Sequence, residues 1–142
     1  MMSAAQGSLG AAKNRIATLG VTVLTSMGPE TMKEVGIIGT PAARALALAK
    51  LAKKAGLGGV VASAHETAAI RRACGRRFLI IVPGVRPADS SANDQSRVAT
   101  PAEAIRAGAD YLVVGRPITA ASDPAKAAES IAKEIASVAR RS

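Results

Sequence analysis

Four short apolar runs rich in β-branched residues constrain the fold of this chain more than any other feature. They occupy residues 20–25, 59–63, 78–82 and 111–114. Stretches with helix-start signals and helical spacing follow each run, so strands and helices alternate along the sequence. Continuous apolar strands that alternate with helices are typical of a parallel sheet covered by helices. The sequence therefore predicts an α/β fold of four βα units with parallel strands.

The composition favours a single domain whose core consists of small and branched side chains. The chain has 142 residues, of which 49% are hydrophobic and only 1% aromatic. A core of Ala, Val, Ile and Leu suits helices that pack on a parallel sheet. No linker-like stretch divides the sequence, so residues 1–142 are interpreted as one domain, and residues 1–18 as a helical stub.

Capping residues locate the first helices. Ser26 is a candidate cap for a short helix over residues 29–35. Thr40 is a good N-cap and Pro41 fits the first position of a longer helix that Gly56 ends. The buried stripe of that helix is predicted from i, i+3, i+4, i+7 spacing to be Leu48, Leu51, Ala52 and Ala55.

The remaining helices have similar start signals. Ser63 and Glu66 have capping-box spacing before a helix that runs to about Cys74, and Gly75 follows. The stretch from Thr100 to Glu103 is a second capping box, with proline at the first helical position. Asp123 and Pro124 open the last helix, which is predicted to end near residue 139, and Asp123 with Lys126 forms at most a surface pair.

The charge balance restricts the classes of partner. Lys and Arg number 19 against 10 acidic residues, which gives a formal net charge of +9. A basic surface attracts nucleic acid, acidic lipid or phosphorylated small molecules. The two aromatics, Phe78 and Tyr111, lie in strand-like runs, so no stacking platform for bases is expected. We therefore predict no nucleic-acid partner, although a basic nucleic-acid binder with steep salt dependence stays an alternative.

Cysteine usage and hydropathy point to a cytoplasmic protein. Cys74 is the single cysteine, so no internal disulfide forms and a reducing compartment is expected. No stretch approaches the roughly 18 apolar residues of a membrane span, and the first residues lack a signal-peptide pattern. Arginines near Cys74 favour a lowered thiol pKa, yet no base partner is evident and no role is predicted. His65 is expected at the surface, and no metal site is predicted.

Two loops that follow strand-like runs carry single arginines and are candidates for binding an anion. Gly115 permits close backbone approach and Arg116 offers a planar fork of donors, which suits a phosphate dianion. Arg86 ends the sequence Pro-Gly-Val-Arg on the same rim, within a long polar loop over residues 84–99 that contains Gln95. The alternatives are an ordinary strand-ending turn with a surface arginine, and a solvated loop.

Two hydroxyl side chains belong to the same rim. Thr25 and Ser26 close the first strand-like run, where side chains face the ligand in a βα fold. For Ser26, helix capping is as good an interpretation as ligand contact. Loops after strands seven and eight of a (β/α)8 barrel often bind phosphate, which fits the positions of the two arginines.

These motifs, in this order and spacing, resemble bacterial orotidine 5'-phosphate decarboxylase. The matching segments are Leu24-Thr-Ser26, Ala55-Gly-Leu-Gly-Gly-Val-Val-Ala-Ser-Ala64, Pro83-Gly-Val-Arg-Pro87, Asn93-Asp-Gln95, Thr100-Pro101 and Gly115-Arg-Pro-Ile-Thr119. The last segment is shared with phosphosugar decarboxylases and aldolases, whereas the Pro-Gly-Val-Arg loop with Asn-Asp-Gln is more selective. The resemblance extends from about residue 20 to 135, and weakly back to residue 1.

The resemblance implies a TIM barrel, active as a homodimer, that converts orotidine 5'-phosphate to UMP and carbon dioxide without metal or organic cofactor. Gln95, Gly115 and Arg116 match phosphate-gripping positions, and Arg86 matches the arginine of a mobile loop that closes on the ligand. Thr25 matches a ligand contact after the fifth strand. The substrate-binding residues so implied are Thr25, Ser26, Arg86, Gln95, Gly115 and Arg116.

The sequence departs from the family at its catalytic motif, Asp-x-Lys-x-x-Asp after the third strand. No aspartate in this sequence is followed two residues later by lysine. The chain is therefore predicted to hold strands five to eight of the barrel and to have no substantial activity alone. The uncovered strand edges favour association, as a homodimer or with a missing N-terminal half. The alternative is a binding half-barrel or pseudoenzyme that needs a complementary chain.

Overall fold

The computed structural model describes residues 1–9, 16–87 and 99–139. Strands and helices alternate along these residues, beginning with a short helix, α1, that precedes the first strand. The elements in chain order are α1 Met2–Gly7, β1 Leu19–Val21, α2 Pro29–Glu34, α3 Pro41–Lys54, β2 Gly59–Val61, α4 Ala64–Cys74, β3 Leu79–Pro83, α5 Pro101–Arg106, β4 Tyr111–Val113, α6 Arg116–Thr119 and α7 Pro124–Ala139. No helix among the described residues is long and apolar enough to span a membrane.

The four strands form one parallel sheet in the order β1-β2-β3-β4, which confirms the predicted parallel α/β fold. Consecutive parallel strands are joined by right-handed crossovers. When the strand order never reverses, every crossover lies on the same face of the sheet. This arrangement is that of a barrel rather than of a doubly wound sheet, in which the order reverses and both faces are covered.

The two faces of the sheet differ sharply in burial. Side chains alternate between faces along a strand. Val60, Ile80 and Val82 are fully buried in one cluster with helix residues such as Ala49, Ile70 and Ala104. The register row on the opposite face is Val21, Val61, Ile81 and Tyr111. Its two end members are each 61% exposed, so this face is apolar and open.

Helix α3 packs through alanines, and the predicted stripe is only partly right. Ala45, Ala49 and Ala52 are buried, because small side chains allow the helix to approach its neighbours closely. Ala52 belonged to the prediction, but Leu51 is 52% exposed. Apolar spacing alone did not distinguish the leucine row from the alanine row beside it.

The caps are confirmed in part. Thr40 Oγ1 accepts from the Ala43 N–H at 3.2 Å, as predicted. Ser26 does not cap α2, whose N-cap is Gly28 without a side-chain bond. Ser63 caps α4, but its hydroxyl accepts from His65 N–H at 3.3 Å rather than from the third helical residue.

The later helix starts agree with prediction. Thr100 and Glu103 form the complete capping box: Glu103 N–H donates to Thr100 Oγ1 at 3.2 Å, and Thr100 N–H donates to Glu103 Oε2 at 2.8 Å. Asp123 Oδ1 accepts from Lys126 N–H, and their side chains form an exposed ion pair at 3.2 Å. Helix α6 is the exception, because the sequence had indicated a loop at those residues.

Arg71 ties the amino ends of the last two strands together. Its guanidinium donates to the carbonyl oxygens of Phe78 at 2.7 Å and Gly108 at 2.8 Å, and pairs with Asp110 at 2.5 Å. The same Asp110 oxygen accepts from Ile80 N–H at 2.7 Å. One side chain thus links the end of α4 to β3 and to the turn before β4.

Candidate functional site

The carboxyl ends of the four strands form the rim on which the predicted ligand residues lie. Pro83 of β3 pairs with Val113 of β4. Arg86 and Arg116 each follow three residues after these paired positions, so both arginines extend from neighbouring strands at the same edge of the sheet. Parallel pairing therefore brings together two residues that are thirty positions apart in sequence.

The turn after β4 leaves the Gly115 backbone accessible. A side chain built at Gly115 would meet no atom within 4 Å, and both Gly115 and Arg116 are exposed. The Gly115 carbonyl accepts from the N–H groups of Ile118 at 2.9 Å and Thr119 at 3.1 Å, which fixes the start of α6. Glycine and arginine are thus presented on an ordered turn with open space in front of the glycine.

Arg86 differs from its neighbour because it is only 5% exposed. Its backbone N–H donates to the Ala99 carbonyl at 3.0 Å, and Val85 forms a parallel bridge with Ala99. These contacts close the base of the predicted loop over residues 84–99 against the start of α5. Arg86 therefore belongs to the ordered base of the loop.

A tight turn presents the two hydroxyl residues after β1. Met27 N–H donates to the Leu24 carbonyl at 3.0 Å, which places Thr25 and Ser26 at the two central positions of the turn. Thr25 is half-buried and Ser26 is exposed. Just before the turn, the Thr22 hydroxyl donates to the Val61 carbonyl at 2.9 Å and holds this segment to β2.

Gln95 lies outside the described residues, as does the rest of the 88–98 stretch. The structure therefore locates five of the six predicted ligand residues on one rim. It does not describe the sixth, and the ligand role of all six stays a prediction. A buried acid, Glu66 at 3% exposure, lies in the first turn of α4 beyond the same edge. Its sequence spacing indicated only a capping role.

Cys74 lies in the last turn of α4, at the far end of that helix from the rim. Burial raises the pKa of the Cys74 thiol and outweighs the lowering by Lys53, Lys50 and Arg71. Arg71 therefore does lower this pKa, as its position in the sequence suggested, but burial is the larger effect and the net shift is upward. His65 is exposed, as predicted. Among residues 1–9, 16–87 and 99–139, no group of three His, Cys, Asp or Glu side chains is arranged to hold a metal ion.

The singly wound parallel sheet, with helices on one face and loop residues gathered at the carboxyl rim, defines a protein of the (β/α)8-barrel class. A model of the orotidine 5'-phosphate decarboxylase / HUMPS family matches residues 1–131. The chain belongs to this family, and the resemblance read from the sequence is confirmed.

Individual relatives agree with the family match. Over 121 residues the chain is 58% identical to orotidine 5'-phosphate decarboxylase of Geobacter sulfurreducens, covering 85% of this chain and 51% of the relative. It is 57% identical to the enzyme of the same name from Geotalea daltonii, covering 82% and 49%. The chain spans about half the length of the curated relatives it matches.

Solved structures of decarboxylases also match this chain over only part of their length. The crystal structure of orotidine 5'-phosphate decarboxylase from Lactobacillus acidophilus superposes with a TM-score of 0.77 at 36% identity, over 95% of this chain and 58% of that chain. The orotidine 5'-monophosphate decarboxylase structure from Sulfolobus solfataricus, at 22% identity and a TM-score of 0.65, shows the shared fold. The predicted partial barrel is therefore confirmed.

Proposed function

We propose that this chain supplies the phosphate-binding half of an orotidine 5'-phosphate decarboxylase. The observation that carries the proposal is the placement of Arg86 and Arg116, each three residues beyond paired positions of β3 and β4. Together with Gly115, Thr25 and Gln95, these residues would hold the 5'-phosphate of orotidine 5'-phosphate or UMP. Family membership supports the choice of ligand. A cytoplasmic location fits the single buried cysteine.

The two arginines suit complementary tasks. Arg116 is exposed on an ordered turn, and its planar donors match two phosphate oxygens at once. Gly115 lets the ligand approach the backbone closely, because nothing occupies the space where a side chain would stand. Arg86 is held at the base of its loop, where low solvent exposure strengthens its field. Binding energy at the phosphate is remote from the reacting pyrimidine.

Decarboxylation needs a group that this sequence lacks. Loss of carbon dioxide from the pyrimidine leaves an electron pair on the ring carbon, which a protein must stabilise and then protonate. In the family this falls to the lysine of Asp-x-Lys-x-x-Asp, which occurs nowhere in the 142 residues. We therefore propose that the chain alone binds the nucleotide without turning it over.

Calorimetric titration with UMP tests whether the chain binds the nucleotide. Replacing Arg116 by alanine removes a charge-assisted contact of about 1.5–3 kcal/mol, so affinity is expected to fall about tenfold to a hundredfold. Arg77→Ala is the matched control, because Arg77 is exposed at the amino end of β3, opposite the rim. Equal affinity in the two variants would contradict the proposal, as would undetectable binding by the unmodified chain.

Measuring the consumption of orotidine 5'-phosphate by ultraviolet absorbance tests whether the chain alone turns the nucleotide over. The purified chain is expected to give no turnover above the rate in buffer. Turnover comparable with a full-length decarboxylase would show that another group in this chain protonates the ring carbon.

A further inference from the structure

Helix α7 contributes one carboxylate to the first turn of α5. Glu134 Oε1 accepts from the Ala102 N–H at 2.9 Å, across 32 positions of the sequence. Glu134 comes three residues after Ile131 and four before Val138, and both of these apolar side chains are buried. The helical period therefore places the acid on the buried side of α7, which packs against α5.

This hydrogen bond completes the first turn of α5. The first N–H groups of a helix have no acceptor within the helix and need other partners. Pro101, at the first helical position, has no N–H, and Glu103 N–H donates to Thr100 Oγ1 at 3.2 Å. Between them lies Ala102, which is buried. Glu134 thus supplies the acceptor for a donor that water does not readily reach.

The start of α5 in turn holds the backbone of Arg86. Ala99 directly precedes the capping residue Thr100, and the Ala99 carbonyl accepts from Arg86 N–H at 3.0 Å. Val85 forms a parallel bridge with Ala99, and both residues are buried. A shift of the first turn of α5 would therefore move the acceptor of the Arg86 N–H.

We infer that Glu134 is a positioning residue for Arg86, which it holds at the rim by fixing the start of α5. The inference rests on the proposed function, in which Arg86 contacts the 5'-phosphate of the nucleotide. Removing the carboxylate leaves the buried Ala102 N–H without this acceptor, which is costly. The first turn of α5 relieves the cost by moving toward water, and that movement reaches Arg86 through Ala99.

Amide hydrogen exchange measures this movement, because the Arg86 N–H is itself one of the linked groups. Glu134→Ala is expected to speed exchange at Arg86 about tenfold, the effect of losing one hydrogen bond from the linked segment. Ala62 N–H, which donates to the Ile81 carbonyl at 3.1 Å between β2 and β3, is the internal reference and should change much less. Equal acceleration at Arg86 and Ala62 would show general destabilisation and overturn the inference.

Two conservative substitutions separate the reach of the side chain from its charge. Glu134→Gln keeps an oxygen at the same distance along the side chain, so exchange at Arg86 should stay within about threefold of the parent. Glu134→Asp keeps the charge but withdraws it by one methylene, so it should resemble Glu134→Ala. The opposite order would mean that Glu134 acts by its charge and not by fixing the start of α5. These variants also decide the matter if Glu134→Ala does not fold.

Glu129→Ala is the matched control, because Glu129 lies on the same helix and its ion pair with Lys133 at 2.8 Å is exposed. It should change neither exchange at Arg86 nor affinity for UMP. Glu134→Ala should weaken UMP binding about threefold to tenfold in calorimetric titration. Unchanged UMP affinity despite faster exchange at Arg86 would refute the positioning role. If the unmodified chain does not bind UMP, the proposed function fails, and exchange at Arg86 still decides whether Glu134 fixes that residue.

Discussion

At the scale of single residues, Gly59 fills a position that admits no side chain. A Cβ built there would lie 2.6 Å from the Cβ and 2.9 Å from the carbonyl carbon of Leu79, and would also strike its carbonyl oxygen. The backbone of a paired strand cannot move aside as the end of a flexible side chain can. Gly59→Ala is therefore expected to lower the free energy of unfolding by about 1–3 kcal/mol, measured by urea denaturation.

Gly20→Ala is the control for this prediction. A Cβ there meets side-chain atoms alone, of Leu57 at 3.2 Å, Ala52 at 3.4 Å and Val60 at 3.7 Å, and these can shift slightly. We expect a smaller loss than at Gly59, although both glycines lie in strands. Equal losses would show that strand propensity, rather than contact with Leu79, explains the effect.

Glu103 makes the stability of α5 depend on pH. Hydrogen bonds from the backbone and side chain of Thr100 lower the pKa of the Glu103 carboxyl. Because the folded-state pKa lies below the unfolded value, the stabilisation is present above about pH 4.3 and is lost as pH falls through the folded pKa. Glu103→Gln should therefore unfold more easily at pH 7, and the difference from the parent should vanish in acid.

A second substitution tests the same capping box at neutral pH. Thr100→Ala removes the side-chain acceptor for Glu103 N–H and is expected to cost about 1 kcal/mol in thermal or urea denaturation. Glu129→Gln is the surface control, because its ion pair with Lys133 is exposed and such pairs contribute little. Equal effects of Thr100→Ala and Glu129→Gln would contradict a structural role for the box.

At the scale of elements, Arg71 joins three segments: α4, β3 and the turn before β4. Arg71→Met removes donors from the Phe78 and Gly108 carbonyls and the partner of Asp110, at an expected cost of about 2–4 kcal/mol. Arg72→Met is the control, since Arg72 is exposed one residue further along α4. Urea denaturation of both variants measures the difference, and a loss no larger than that of the control would refute the linking role.

Element boundaries show what the sequence could and could not predict. Proline preceded by threonine or aspartate located α3, α5 and α7, because capping depends on residues close in sequence. The buried face of α3 depended on neighbours distant in sequence, so Leu51 was wrongly assigned to the interior. The sequence indicated no role for Arg71 other than its charge near Cys74. Its contacts with Gly108 and Asp110 span thirty-seven and thirty-nine positions, which local patterns do not show.

At the scale of the whole molecule, fold and site were predictable to different depths. Alternating runs predicted a parallel sheet, and parallel pairing then placed Arg86 and Arg116 on one rim. The burial of Arg86 was not predictable, because it arises from the bridge between Val85 and Ala99 across the loop. The unreversed strand order, which the resemblance had implied, leaves one face of the sheet apolar and open.

A full-length chimera tests whether this rim supports the family reaction. The N-terminal half of the Geobacter sulfurreducens relative, fused ahead of this chain, would add the half of the barrel in which the family carries its lysine motif. The 58% identity across the shared half favours a well-packed junction. We expect decarboxylation of orotidine 5'-phosphate by the chimera and none by the isolated chain.

The same chimera assigns the roles of the rim. Arg116→Ala in the chimera should lower kcat/KM about tenfold or more, since phosphate binding energy is used to reach the transition state. Arg77→Ala should leave kcat/KM within twofold, because it lies at the opposite end of the sheet. Circular dichroism would first verify that each variant folds. A folded chimera without turnover, or one indifferent to Arg116→Ala, would show that this rim does not serve the family reaction, whatever its affinity for UMP.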